Sequence, residues 1–194
     1  MINKVFFYQK IKEQKLFKVI SAGQVKAMDI IINYWDEKRY TDLRWLAYML
    51  ATTYHETAAT MLPIEEYGKG KTSPYGKKIK HSGVTYSIPN KIYYGRGDVQ
   101  LTWYENYELM GRLLGIDLLN NPEMALLPDI AVKIMFEGML KGASSFGDFT
   151  GRCLEQYFND KVNDPINARR IINGLYKAEL IKGYHIKFLN SLSV

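Results

Sequence analysis

A mainly α-helical fold carrying one small β element is what the sequence predicts, from three observations. Apolar residues recur at helical spacing through most of the 194 positions. Residues that start and stop helices stand where those stripes begin and end. Residues 63–98 lose the pattern, broken by Gly68, Gly70, Gly76, Gly83, Gly95 and Gly97 together with Pro74 and Pro89.

Taken in order, Phe6, Phe7, Ile11 and Leu16 among lysines read as a basic amphipathic helix within residues 1–20. Ser21-Ala22-Gly23-Gln24 has the form of a capping box, opening a helix with Val25, Met28, Ile32 and Trp35 on one face. Thr41-Asp42 starts a third helix, whose Leu43, Leu46, Ala47, Leu50 and Tyr54 make a buried stripe. It runs into Thr53-Tyr54-His55-Glu56-Thr57 and is closed by Pro63. Inside the glycine-rich stretch, residues 84–88 and 91–94 could form a short hairpin around Pro89-Asn90. A connection this long within a compact domain is usually functional.

Helices resume after Thr102 with Tyr107, Met110, Leu113 and Leu114, stopped by Gly115. Pro128-Asp129 begins another, bearing Ala131, Ile134, Met135 and Gly138. A short one follows Thr150, and Asp164-Pro165 starts one that holds Ile171 and Ile172 and ends at Asn173-Gly174. The last runs from about Lys177 to Leu192, with Leu180, Ile181, Tyr184 and Phe188 inward.

Composition bounds the function. Hydrophobic residues at 47% and charged residues at 24% are ordinary for a folded soluble protein. No apolar run approaches the ~20 residues that span a bilayer, and Lys4, Lys10, Lys12, Glu13, Lys15 and Lys18 break up any signal-peptide core. The expectation is a protein made in the cytoplasm. Cys153 is the single cysteine, so an internal disulfide and a cysteine-rich zinc site are excluded, and a packed, inert thiol is expected. Net charge is +6. Lysines concentrate before residue 19 and at Lys69, Lys71, Lys77, Lys78 and Lys80, with no acid between Tyr67 and Gly97. Such patches favour polyanions, and solvated surface lysines are the bland alternative for each.

Two carboxyl groups carry the chemistry. Hydrolysing a glycosidic bond takes one protonated carboxyl group to help the leaving oxygen depart and one ionised carboxylate to activate water or attack carbon. Their environments must hold them in different protonation states. Glu56, ending an apolar helix, suits the first role; Glu65 and Glu66, early in a polar, basic loop, suit the second. The other motifs in reach fail. His55-Glu56 resembles a zinc-protease helix start, but position 59 is Ala, and His81 and His185 are distant, so no metal is expected. Gly95-Arg96-Gly97 is followed by no Lys-Ser/Thr and is not a phosphate loop. Tyr75, Tyr86, Tyr93 and Tyr94 lie where sugar stacking is feasible.

His55-Glu56-Thr57, followed by Tyr93-Tyr94-Gly95-Arg96-Gly97-Asp98-Val99-Gln100-Leu101-Thr102-Trp103, resembles the signature pair of the family-19 glycoside hydrolases, a group of chitinases and related phage and bacterial endolysins. Ala168-Arg169-Arg170-Ile171-Ile172-Asn173-Gly174 is similar to an Arg-Ile-Asn-Gly segment near the end of members. The likeness covers about residues 20 to 190. It implies a lysozyme-like, two-lobed single domain over residues 1–194, with the cleft between the Glu56 helix and a small lobe at 63–102.

The resemblance further implies Glu56 as general acid, Glu65 as general base with Glu66 the alternate, and Thr102 helping to hold the attacking water. It implies sugar binding by Gln100 and Asn106, with Asn173 near the catalytic centre. Tyr94 and Trp103 pack around the motif or stack on a pyranose. His55 is expected as an orienting hydrogen-bond partner at the substrate site, and Arg96 stands open between substrate binding and tying the loop together. The family inverts, so its carboxyl groups should stand ~6.5–9.5 Å apart to admit water. No cofactor is implied.

Three departures point away from chitin: Asp98 where plant-type chitinases tend to have Pro, no disulfide framework, and Ile181 and Lys182 where those enzymes carry a cleft arginine. The expectation is therefore a monomeric phage-type endolysin cleaving the bond between N-acetylmuramic acid and N-acetylglucosamine in peptidoglycan. It would reach the wall after holin-dependent release and sit on anionic wall or outer membrane through its basic regions, with no specific nucleic acid as partner. The rivals are a chitinase, a lytic transglycosylase and a non-catalytic wall- or nucleic-acid-binding module; missing ligands disfavour a zinc amidase.

Overall fold

A computed structural model describes residues 1–88, 90–142 and 147–193. Among them are six α-helices: α1 (Lys4–Glu13), α2 (Ala22–Glu37), α3 (Leu43–Glu56), α4 (Tyr104–Leu114), α5 (Pro128–Met139) and α6 (Ala178–Leu192). Two short strands, β1 (Ile64–Glu65) and β2 (Arg96–Gly97), pair antiparallel, Ile64 opposite Gly97 and Glu65 opposite Arg96. The lysozyme-like, mainly helical architecture with a small β element is as expected.

The capping chemistry falls where the sequence places it. Ser21 Oγ accepts the Gln24 backbone N–H at 3.2 Å while Gln24 Oε1 accepts the Ser21 N–H at 2.8 Å. Asp42 accepts the Arg44 N–H at 3.0 Å and starts α3, and Gly115 closes α4 in the left-handed region.

α3 is the centre of the molecule. Its residues 46–53 are all buried, so the stripe seen in the sequence marks one face of a helix enclosed on every side, by α6, α2 and α5. Each large apolar side chain buried there contributes roughly 1.5–3 kcal/mol. That packing makes α3 a rigid mount for whatever stands at its end.

Several expectations need correction. α1 covers Lys4–Glu13 and not the whole of residues 1–20. α3 stops at Glu56, well before Pro63, because Thr57 turns the chain: its hydroxyl donates to the Thr53 carbonyl at 2.7 Å and accepts the Met61 N–H at 3.0 Å. Ala58 and Ala59 then adopt positive φ, which ends the helix. The hairpin at 84–88 and 91–94 is not formed. Thr85 bridges Ile79, and 91–94 joins no strand, while Pro89 at the expected turn lies outside the described residues. The helices after Thr150 and Pro165 are single 3-10 turns, Leu154–Gln156 and Asn167–Ile171. Leu180 faces outward, and His185 takes an inward position on α6.

Candidate active site

Glu56 sits at the last turn of α3 and opens onto a cleft of about 900 Å³. Its Oε1 accepts a hydrogen bond from Arg169 Nη1 at 2.6 Å. Arg169 is 1% exposed and donates its Nε to the Tyr176 carbonyl at 3.1 Å. The turn that presents Arg169 is fixed by Asp164, which accepts the Asn167 N–H at 3.0 Å and its side-chain amide at 2.7 Å. One Glu56 oxygen is thereby clamped, and Oε2 has no protein donor among the described residues. Sequence reasoning missed this arginine as a partner. Its signal lay in the quoted 168–174 segment, but nothing in the sequence shows that the segment folds beneath residue 56.

The opposite wall is built by β1, β2 and the loop between them. Strand alternation sends Glu65 and Glu66 to opposite faces. Glu66 lines the cleft. Its N–H donates to the Gly95 carbonyl at 2.8 Å, and its Oε2 accepts from Tyr75 Oη at 2.9 Å and from the Gly95 N–H at 3.1 Å. Its Oε1 has no donor among the described residues. Glu65 turns away from the cleft lining. Lys69 Nζ at 2.9 Å and Tyr94 Oη at 2.7 Å hold its carboxylate below the usual glutamate range. Glu65, expected as the base, therefore has both oxygens occupied and does not line this cleft, where Glu66, the alternate, does.

The motif beyond β2 turns sharply. Gly97 has φ +87°, and a Cβ there would come 2.8 Å from the Ala125 carbonyl oxygen, so only glycine fits. Gln100 and Trp103 also have positive φ, a costly conformation for residues with a Cβ, and both line the cleft. Gln100 Nε2 donates to the carbonyls of Ile64, at 3.0 Å, and Gly97, at 3.3 Å, so its amide straps the two strands together. Thr102 Oγ1 donates to the Gln100 carbonyl at 2.7 Å, which leaves the oxygen free to accept from water. Asn106 Nδ2 donates to the Thr102 carbonyl at 2.9 Å. Trp103 packs edge-on to Tyr75 and His81. Phe149, Thr150, Ile172 and Asn173 form the far wall, with Thr150 Oγ1 in reach of the Arg170 and Ile171 carbonyls at 3.0 and 3.1 Å.

The structure thus brings Glu56, Glu66, Gln100, Thr102, Trp103, Asn106 and Asn173 around one cleft. Three residues expected at the substrate lie behind it. Arg96 is 5% exposed, its Nη1 donates to the Ile92 carbonyl and Tyr107 Oη, and its Nε stands 3.8 Å from Glu65 Oε1, so the guanidinium ties the loop together. Tyr94 lies with its ring against that guanidinium, 3.6 Å from centroid to Cζ, and is not available for stacking. His55 is half-buried beside Glu56 and outside the cleft lining; burial lowers its pKa. Tyr86 and Tyr93 join Tyr104 and Tyr107 in an aromatic cluster, leaving Tyr75 as the one of the four loop tyrosines that reaches the cleft. Cys153 is buried, as expected.

Comparison with known proteins gives a consistent likeness. Residues 36–140 match the family model described as chitinase class I of the glycoside hydrolases family 19. Endochitinase 1 of Theobroma cacao is 39% identical over 106 residues, 50% of this chain and 32% of that protein. The chain spans about a third of the length of the first such relatives. Among solved structures, a bacterial family 19 chitinase superposes with TM-score 0.64 at 21% identity, covering 100% of this chain and 95% of the other. Chitinase C from Streptomyces griseus gives 0.57 at 24% identity, covering 96% and 88%. At these identities the superpositions speak for the fold alone.

Proposed function

This chain belongs to the class I chitinase family, glycoside hydrolase family 19, and from that premise we propose that it hydrolyses β-1,4 bonds in peptidoglycan glycan strands. The observation that carries the reading is the pair of carboxyl groups lining one cleft, Glu56 from α3 and Glu66 beside β1, each with one oxygen anchored and one without a protein donor among the described residues.

In the proposed mechanism Glu56 is the general acid. Arg169 fixes Oε1, and Oε2 delivers the proton to the departing glycosidic oxygen. Glu66, held by Tyr75 and Gly95, takes a proton from water through Oε1. Thr102 Oγ1 accepts that water's second hydrogen, because its own proton is committed to the Gln100 carbonyl. Water attacks the anomeric carbon from the face opposite the leaving group, so the product is inverted. Trp103 and Tyr75 offer apolar faces to pyranose rings, and Asn106 Oδ1 and Asn173 offer hydrogen bonds to their acetamido and hydroxyl groups. Glu65, paired with Lys69, supports the strand from behind.

Chitin is the second reading, favoured by the chitinase names of the matched relatives. The lack of disulfides, with one cysteine, and the net charge of +6 favour peptidoglycan. Release from host cytoplasm through a holin and action as a monomer belong to this proposal. The test is purified peptidoglycan and chitin oligomers treated in parallel, with products read by mass. New reducing N-acetylmuramic acid ends from peptidoglycan are expected. Cleavage of chitin oligomers alone would make the protein a chitinase, anhydro ends would make it a transglycosylase, and no cleavage of either would make it a binding module.

A further inference from the structure

The loop wall of the cleft carries a charge pattern that the two-carboxylate mechanism does not use. Glu56, Glu66 and Glu105 line the cleft itself. Between Glu66 and Ser82, which both line it, the chain carries Lys69, Lys71, Lys77, Lys78 and Lys80 and no acid after residue 66. Lys69 pairs with Glu65, and Lys80 lies over the Tyr104 ring at 4.2 Å. Lys71, Lys77 and Lys78 have no carboxylate within ion-pair distance among the described residues, and Lys71 and Lys77 are exposed.

The loop that bears them is pinned to the cleft. Tyr75 Oη donates to Glu66 at 2.9 Å, and the N–H groups of His81 and Ser82 donate to Glu105 at 3.0 and 3.3 Å. The Tyr86 N–H donates to the Lys78 carbonyl at 3.1 Å, and Gly76 packs so closely on the Gly70 carbonyl that no Cβ fits between them. The lysines therefore sit on a tied loop segment between residues that line the cleft.

We infer that Lys71, Lys77 and Lys78 form a rim subsite for the carboxylates that branch outward from the muramic acid residues of peptidoglycan. An acidic floor with a basic rim fits one arrangement of charge. A neutral sugar backbone can lie on Glu56, Glu66 and Glu105, while anionic branches reach the lysines. A chain with charge in its own backbone, such as nucleic acid, would place anions on the Glu66 and Glu105 carboxylates and be repelled. Chitin has no anionic branch and gains nothing from the rim. This subsite rests on the peptidoglycan reading above and supplies the selectivity that the shared mechanism lacks.

The test is binding, so that it stands apart from turnover. The Glu56→Gln protein is sedimented with purified sacculi stripped of teichoic acid and with chitin, at low and high ionic strength. Adding K71Q, K77Q and K78Q should weaken sacculus binding roughly 10-fold at low salt, as the loss of three surface charge contacts would, and flatten its salt dependence. Chitin binding should not change. Amidating the sacculus carboxyls should reproduce the same loss with the lysines intact, which needs no loop variant to fold. Sacculus binding that survives both changes, or an equal loss on chitin, overturns the subsite. Failure to cleave peptidoglycan in the product assay would overturn the hydrolase reading instead.

Discussion

Glu56 reaches the cleft from a helix buried on every side, while Glu66 reaches it from the residue that follows a two-residue strand in a polar loop. On the helix wall, apolar packing fixes the backbone and one buried arginine fixes the carboxyl group. On the loop wall residues 62–88 bury only Gly70, and their position comes from hydrogen bonds: the Gly95 N–H and Tyr75 Oη donate to Glu66, Gln100 Nε2 donates to the Ile64 carbonyl, and the His81 N–H donates to Glu105. The two walls should therefore fail differently. Damage to the helix wall should cost stability and activity together, and damage to the loop wall should cost activity with little stability.

The largest effects are expected at Glu56 and Arg169. Glu56→Gln keeps an acceptor for Arg169 and removes the transferable proton. Its rate should fall about 10²–10⁴-fold with little change in urea unfolding. Arg169→Met leaves Glu56 without its buried partner and should lower stability by about 3–5 kcal/mol as well as the rate. If the two changes are instead additive in a double-variant cycle of unfolding free energies, the ion pair is not what fixes the acid.

A second contrast lies in pH. Asp98, 4% exposed beside β2, has its pKa pushed up to about 7 by burial. The native state then holds a proton that the unfolded chain releases near pH 4, so stability falls as pH rises from about 4 to about 7. His185 on α6 packs between Tyr48 and Phe158, and burial lowers its pKa to about 4. There the unfolded chain binds the extra proton, so stability is full above about 6.5 and is lost as pH falls toward about 4. At about 1.4 kcal/mol per pKa unit, each group is worth up to a few kcal/mol. Asp98→Asn should raise the melting temperature at pH 8 more than at pH 5, and His185→Phe should flatten the acid side. Parallel curves for wild type and both variants would show that these groups do not titrate on unfolding.

How much was legible in advance follows the same division. Ser21, Asp42 and Gly115 announce helix ends because capping is local chemistry, and the α3 stripe announces a core helix because burial repeats along it. The pairing of Ile64–Glu65 with Arg96–Gly97 spans about 30 positions and is too short for a two-residue period to register. Glu65 fits the matched motif, yet one step along a strand reverses the face, and that step separates it from Glu66. Arg96 and Tyr94 stand inside the most distinctive motif, where a scaffold residue and a binding residue look alike. Arg169 could be found only by folding residues 164–176 under the end of α3.

The smallest effect is expected at Tyr94→Phe. It removes one hydrogen bond to Glu65, worth about 1 kcal/mol, and should move the rate by less than a few-fold if Glu65 only supports the strand. A large rate loss with unchanged stability would move Glu65 into the reaction.

Initial rates of muropeptide release by Glu56→Gln, Glu66→Gln and Glu65→Gln, set beside wild type, test the facing-carboxylate mechanism most directly. Glu56→Gln and Glu66→Gln should each lose nearly all activity while remaining folded, and Glu65→Gln should keep most of it. Full activity in Glu66→Gln with none in Glu65→Gln would place the base on the other face of the strand, and activity surviving Glu56→Gln would contradict the mechanism at its root.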